Sequence, residues 1–289
     1  HAMAYLGNLT WMSIIKFNPI CMERVWGGRR LEEIFGRELP AGKRIGETWE
    51  VVDRPETQSS VAEGPHKGSS LRELIETQTK WILGAGWPRT RSFPILVKWL
   101  DCTERLSLQV HPPPSAASQL CGEPKTENWY VAEAMSGAGL IAGLRTGVTR
   151  EDFEKALSAG ILEGLCHRFP SRAGDSLLVE SGRIHAIDGG NLILEIQQNS
   201  DTTYRVFDWG RLGLDGQPRE LHVKESMQCI DFDDFEPEPL RTDSDAAEQV
   251  IAECEHFRIR KFDWREDRTV DLSPAGVDAG LIHLLRGGL

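Results

Sequence analysis

Leu194-Glu195-Ile196-Gln197-Gln198-Asn199-Ser200-Asp201-Thr202-Thr203-Tyr204-Arg205-Val206-Phe207-Asp208-Trp209 begins as a strand, crosses a polar segment and regains strand character at 204–207. Short alternating runs with β-branched and aromatic residues, bounded by Asn, Ser and Asp, are the pattern of β-sheet. The same run crowds a carboxylate, amides, hydroxyls and a guanidinium beside Tyr204, Phe207 and Trp209. A solvated loop rarely carries so many paired donors and acceptors. The segment reads as the wall of a binding site.

Working outward, strand patterns recur at 45–52, 93–100, 106–111, 125–131, 176–179 and 191–196. The 106–111 run stops at Pro112-Pro113-Pro114, which cannot continue a ladder. Helical signals are few. Ser69-Ser70 caps a start at Leu71, Thr149 caps a helix carrying Phe153, Ala156 and Leu157, and a short helix holds Ile161, Leu162 and Leu165. Many short strands with few helices predict a mainly β antiparallel sandwich or barrel with a small helical insertion around 148–166. An acidic, proline-bearing stretch at 231–239 divides the chain into a main β domain, 14–235, and a linker with an incomplete C-terminal β lobe, 236–289.

With 289 residues, 40% hydrophobic and 27% charged, the chain suits an ordinary globular protein. Its net charge of −11 argues against nucleic acid as a partner, because phosphate-backbone binding needs a basic surface. No apolar stretch approaches the ~18 residues of a membrane span. The opening His1-Ala2-Met3-Ala4 lacks a secretory pattern, and six scattered cysteines without a Cys-x-x-Cys pair fit a reducing cytoplasm. Oligomeric state is not legible.

Four residues form a candidate metal set. Gln109 and His111 are two apart on a strand, so they share a face. Glu127 lies in the strand-forming Lys125-Thr126-Glu127-Asn128-Trp129-Tyr130-Val131, and His185 ends a strand, tight turn and returning strand that starts at Gly174. Two imidazoles, a carboxylate and an amide oxygen make a mixed nitrogen and oxygen site for a divalent ion. Zinc, iron and manganese all accept such ligands. Each His read alone is more simply a hydrogen-bonding strand residue.

Trp26-Gly27-Gly28, Gly46-Glu47-Thr48-Trp49-Glu50, Phe93-Pro94-Ile95-Leu96-Val97-Lys98, Leu106-Ser107-Leu108-Gln109-Val110-His111-Pro112, Lys125-Thr126-Glu127-Asn128-Trp129-Tyr130, His185-Ala186-Ile187 and the 194–209 run together resemble the type I phosphomannose isomerases. The resemblance covers roughly 14–235. It implies a cupin-type antiparallel β-sandwich or jelly-roll barrel with a partial second β lobe, and an enzyme of carbohydrate metabolism with one zinc per chain. By position it places the metal ligands on Gln109, His111, Glu127 and His185, and the active-site acid and arginine on Glu195 and Arg205. Phosphate recognition falls on Ser107 and Lys98. Departures are Pro113 and Pro114 after His111-Pro112, Glu180 where proline is usual, and Asn128 in place of an apolar or small residue.

The activity so implied interconverts mannose 6-phosphate and fructose 6-phosphate through a cis-enediol. That chemistry needs an acid/base group beside the carbons and a positive centre for the developing oxyanion. Glu195 and Lys125 are both candidates to move the proton, and Arg205 adds a donor fork. Read structurally, Glu195 is a buried strand carboxylate paired to an arginine, Ser107 a strand serine bonded to its neighbour, and Lys98 a snorkelling edge lysine. Asp201 and Thr202 read as turn-forming residues, and Asp208 with Arg211 as a structural pair. Two other functions fit the same residues: a non-catalytic cupin module binding a sugar or sugar phosphate, and an isomerase of a non-phosphorylated sugar.

Overall fold

A computed structural model describes residues 2–5, 15–84, 86–242, 245–264, 280–283 and 285. Its centre is the predicted mainly β architecture: two antiparallel sheets laid face to face. The larger runs Leu240–Arg241, Asp175–Val179, Glu127–Ala134, Asn191–Gln198, Ile95–Cys102, Ile45–Val51, Ile20–Gly28. The smaller runs Cys166–Pro170, Gly139–Leu144, His185–Ile187, Leu108–Val110, Tyr204–Phe207.

Strand alternation sorts side chains into three layers. Leu100, Cys102, Trp129, Val131, Leu177 and Ile193 of the large sheet meet Leu140, Ala142, Phe169 and Ile187 of the small one in a shared core. On the far side of the large sheet, Val97, Trp99, Leu194 and Ile196 pack on Leu71, Leu74, Ile75 and Ile82 of the Leu71–Leu83 helix. On the far side of the small sheet, Leu108, Val110, Tyr204 and Val206 pack on Phe153 and Ala156 of the Arg150–Ala159 helix. Residues between these outward ones, such as Lys98, Gln109, Glu195 and Arg205, are thereby aimed away from the helical layers.

The helix starts are as the sequence predicts. Ser70 and Thr149 each accept a hydrogen bond from the backbone N–H three residues on, and Glu73 and Asp152 complete the capping boxes. The short helix expected at 161–165 is a 3₁₀ helix over Leu162–Leu165. The predicted 106–111 strand is regular over Leu108–Val110, and its pairing with Tyr204–Phe207 shifts register between Arg205 and Phe207. None of the described helices is long and apolar enough to cross a membrane.

The 231–239 stretch lies against the small sheet, with Leu144 N–H donating to Asp234 O and Glu236 N–H to Leu144 O. Beyond it, Leu240–Arg241 adds an edge to the large sheet, and Glu248–Glu253 pairs with Arg258–Phe262 as a separate hairpin. Gly280–His283 pairs with Ala2–Tyr5.

The Trp26-Gly27-Gly28 segment permits two close approaches. A Cβ at Gly27 would stand 2.3 Å from Gly46 N, and one at Gly28 would stand 2.5 Å from Asp101 Oδ2. The second approach delivers Arg30 to the buried Asp101, whose Oδ1 accepts from Arg30 Nε at 2.7 Å and Oδ2 from Arg30 N at 2.8 Å. Arg30 also donates to Gly190 O, tying the strand ends together. Asp101→Ala strands this guanidinium in a largely buried position. It is expected to lower unfolding free energy by about 3–5 kcal/mol, read as a fall in denaturant midpoint at constant slope. A loss under 1 kcal/mol would show that the backbone carbonyls alone hold Arg30.

Candidate active site

Two rows of side chains face one another between the sheets. On the large sheet, Glu195 lies directly across from Trp129 on one neighbouring strand and from Lys98 on the other, and Lys98 lies across from Trp49. On the small sheet, Gln109 lies across from His185 and from Arg205. Here strand pairing does what sequence spacing cannot. It brings residues 49, 98, 129 and 195 into one line.

At the floor, His111, Glu127 and His185 are fully buried, and one ligand atom from each lies within 4.8 Å of the others. Each imidazole has its Nδ1 against a backbone carbonyl, Thr202 O at 2.9 Å for His111 and Arg183 O at 2.8 Å for His185. A carbonyl only accepts, so Nδ1 carries the proton and Nε2 presents a lone pair. His111 Nε2 stands 3.2 Å from Glu127 Oε2, and His185 Nε2 stands 3.7 Å from Glu127 Oε1. Acceptors therefore face acceptors. Neither carboxylate oxygen of Glu127 has a well-directed hydrogen bond, although Lys125 Nζ ion-pairs with Oε2 at 2.6 Å. The Lys125 ammonium also lies 3.2 Å from His111 Nε2. This donor set, with backbone-oriented imidazoles and an under-satisfied buried carboxylate, fits a divalent cation.

Gln109 lies beside the group. Its Nε2 is 3.2 Å from His185 Nε2, while its Oε1 accepts from Ser107 Oγ at 3.3 Å. Turning the amide over exchanges oxygen for nitrogen at the same shape.

Electrostatics follow from burial. Desolvation, then Lys125, pushes His111 below its usual value; desolvation, then His111, pushes His185 down to about 3. Both rings stay neutral at pH 7 and ready to ligate. Burial would raise the Glu127 carboxyl, but Lys125 and then His111 outweigh it and hold Glu127 well below the carboxylate range. Burial opposes the Lys125 charge, yet Glu127 and then Glu195 hold that ammonium above its usual value. Glu195 is the exception. Burial first, and then the Glu127 charge, pushes it up to about 7 against the pull of Lys125 and Lys98. Its Oε2 accepts from Trp129 Nε1 at 3.1 Å, and its Oε1 lies 3.8 Å from Lys125 Nζ and 3.9 Å from Lys98 Nζ.

Above the floor opens a cavity of about 640 Å³, lined among others by Lys98, Ser107, Gln109, Lys125, Glu195 and Arg205. All nine residues singled out from the sequence thus lie in its wall or in the buried group beside it. Glu195 is paired to lysines, not to an arginine. Lys98 is no exposed edge lysine: it is buried over the Trp49 ring at 4.6 Å, with Glu47, Glu195 and Asp201 carboxylates at 3.9, 3.9 and 3.7 Å. Asp201 therefore does more than form a turn, since it also lines the cavity. Thr202 supplies the carbonyl that orients His111. Of the departures, Glu180 lies 3.6 Å from Arg183, and Asn128 accepts from Ser176 Oγ in the core. Neither of these two residues, nor Pro113 or Pro114, lines this cavity.

Sequence reading passed over Arg24, Glu47, Trp129 and Arg219. Arg24 Nε donates to Glu47 Oε1 at 2.8 Å, and Trp49 Nε1 donates to Glu47 Oε2 at 2.7 Å. The alternation of Glu47 and Trp49 on one strand face was a usable signal. Arg219, on the connection after Tyr204–Phe207, carried none.

The model of the phosphomannose isomerase type I catalytic domain matches residues 14–137. Mannose-6-phosphate isomerase ManA of Bacillus subtilis is 36% identical over 252 residues, covering 85% of this chain and 78% of that protein. The crystal structure of the mannose 6-phosphate isomerase from Bacillus subtilis superposes with a TM-score of 0.77 at 34% identity, covering 86% of this chain and 79% of that one. A mannose 6-phosphate isomerase solved with zinc and yttrium shares the fold at a TM-score of 0.61 and 17% identity, over 82% of this chain and 80% of its own. With its cupin-type sandwich, its buried His-Glu-His group and these relatives, the chain belongs to the type I phosphomannose isomerase family.

Proposed function

We propose that this protein interconverts mannose 6-phosphate and fructose 6-phosphate, with one zinc ion held by Gln109, His111, Glu127 and His185. The observation that carries the reading is the opening of the buried His111–Glu127–His185 group beside a cavity walled by Glu195 and Arg205, in a chain of this family. When bound, the ion supplies a Lewis acid that polarises sugar oxygens.

The residues of the chain divide the remaining work. Glu195, pushed up to about 7, is partly ionised near neutrality and takes the proton from C2 and returns it to C1 of the enediol, while the C2 hydroxyl proton passes to the C1 oxygen. The Trp129 indole fixes one of its oxygens. Lys125 keeps its proton under the charges of Glu127 and Glu195, so we assign it to charge stabilisation and leave proton abstraction to Glu195. Arg205 donates Nη1 to Glu220 O at 2.7 Å and leaves its Nε without a protein partner. That guanidinium is a fixed donor for the oxygen on which enediol charge develops. Ser107 orients the Gln109 amide. Free thiols at all six cysteines suit a reducing compartment, and we propose the cytoplasm.

A coupled assay on zinc-loaded protein tests the activity. Turnover of mannose 6-phosphate to fructose 6-phosphate is expected. Turnover of unphosphorylated aldoses alone would move the reading to a plain sugar isomerase, and tight phosphosugar binding without isomer formation would make the protein a binding module.

A further inference from the structure

The cavity is electrically polarised, and its positive end is built by groups that the isomerase reading leaves unassigned. Five cations line it: Arg24, Lys98, Lys125, Arg205 and Arg219. Four are committed to carboxylates, one of them, Arg219, on the opposite wall. Arg24 forks onto Glu47, Lys125 pairs with Glu127, and Lys98 has three carboxylates within 3.9 Å. A phosphate dianion brought to Lys98 would meet more negative charge than positive, so this lysine is a poor phosphate ligand despite its buried position.

On the opposite wall the imbalance is reversed. Arg219 donates Nε to Asp208 Oδ2 at 2.7 Å and Nη2 to Asp208 Oδ1 at 2.5 Å, while Arg211 donates to the same Oδ1 at 2.7 Å. Arg205 stands beside them, bonded to a backbone carbonyl and to no carboxylate. Two guanidiniums, Arg211 and Arg219, thus share the buried Asp208, with Arg205 beside them and the exposed Asp215 on the same wall. Burial, and next the Arg219 charge, pull the Arg205 guanidinium below its usual value, partly offset by Asp208. The bidentate grip of Asp208 fixes the plane of Arg219 in advance, and its Nη1 is left uncommitted among the described residues. A planar, pre-oriented guanidinium is the side chain best suited to phosphate oxygens.

Substrate chemistry calls for such a group away from the reacting carbons. The phosphate on C6 is at the far end of the sugar from C1 and C2, where the proton moves. Arg219 reaches the cavity from the connection after Tyr204–Phe207 and not from a strand that carries Glu195, Arg205 or a metal-site residue. Resting on the isomerase reading above, we propose that Arg219, held by Asp208, is the residue that recognises the substrate phosphate and sets the preference for phosphorylated over free sugar. Lys98 serves instead to organise Glu47, Glu195 and Asp201.

The test compares zinc-loaded wild type, Arg219→Gln and Arg219→Lys on mannose 6-phosphate and on mannose. Calorimetric titration with mannose 6-phosphate keeps phosphate recognition measurable without turnover. Arg219→Gln is expected to raise KM and Kd for mannose 6-phosphate about ten- to a hundredfold, the size of one charge-assisted contact, with kcat changed much less. The ratio of kcat/KM for phosphorylated over free sugar falls by the same factor, and Arg219→Lys recovers part of it. Unchanged KM and Kd in Arg219→Gln, or equal losses on both sugars, would overturn the assignment. Wild-type protein that binds mannose 6-phosphate without turning it over would sink the isomerase reading, while the Kd shift in Arg219→Gln would still decide this one.

Discussion

Glu127→Gln is expected to remove bound zinc and activity together, with the metal-to-protein ratio falling from about one to near zero by mass spectrometry. The substitution keeps shape but deletes the carboxylate between the two inward Nε2 atoms. Those neutral rings and one amide remain, and a mixed site without its anion holds Zn²⁺ weakly. Losing a Lewis-acid centre forfeits several kcal/mol of transition-state stabilisation, so kcat/KM drops by about 10³-fold or more. His185→Ala gives the same joint loss through a different ligand. Because Glu127 also pairs with Lys125, folding of both variants is checked by circular dichroism. Full zinc occupancy in either folded variant would mean that the ion binds elsewhere.

Glu195→Gln separates chemistry from metal binding. Zinc content is expected to stay near one per chain while kcat falls about 10²–10⁴-fold, the range for a lost general base. The wild-type pH profile adds a signature. Below its pKa Glu195 is a protonated acid that cannot abstract, and above it a carboxylate that can. Activity therefore falls as pH drops through a limb at or below about 7, since a cation on Glu127 removes part of the upward push. The residual activity of Glu195→Gln lacks that limb. A limb that persists unchanged in the variant, with zinc retained at each pH, would assign proton transfer to another group.

Much of this was legible in the sequence because alternation is local. Leu108 and Val110 toward the helix, with Gln109 between them toward the site, follow from strand period alone. Capping boxes at Ser70 and Thr149 were readable for the same reason. Strand neighbours were not. Nothing in the spacing says that Lys98 lies across from Glu195, or that Glu47, about fifty residues upstream, reaches the same ammonium. Lys98 carries a phosphate role by resemblance alone, and the three carboxylates around it are assembled by strand pairing that spacing does not reveal. Arg219 was invisible for a related reason: its role depends on Asp208 and Arg205 being brought beside it by a turn, not by any motif.

Anomalous diffraction at the zinc edge, from crystals of the zinc-loaded protein, tests the central claim most directly. One peak is predicted between the sheets, about 2.0–2.2 Å from a Glu127 oxygen, the Nε2 atoms of His111 and His185, and the Gln109 oxygen. A peak elsewhere in the molecule, with these four side chains bonded only to one another and to Lys125, would contradict it.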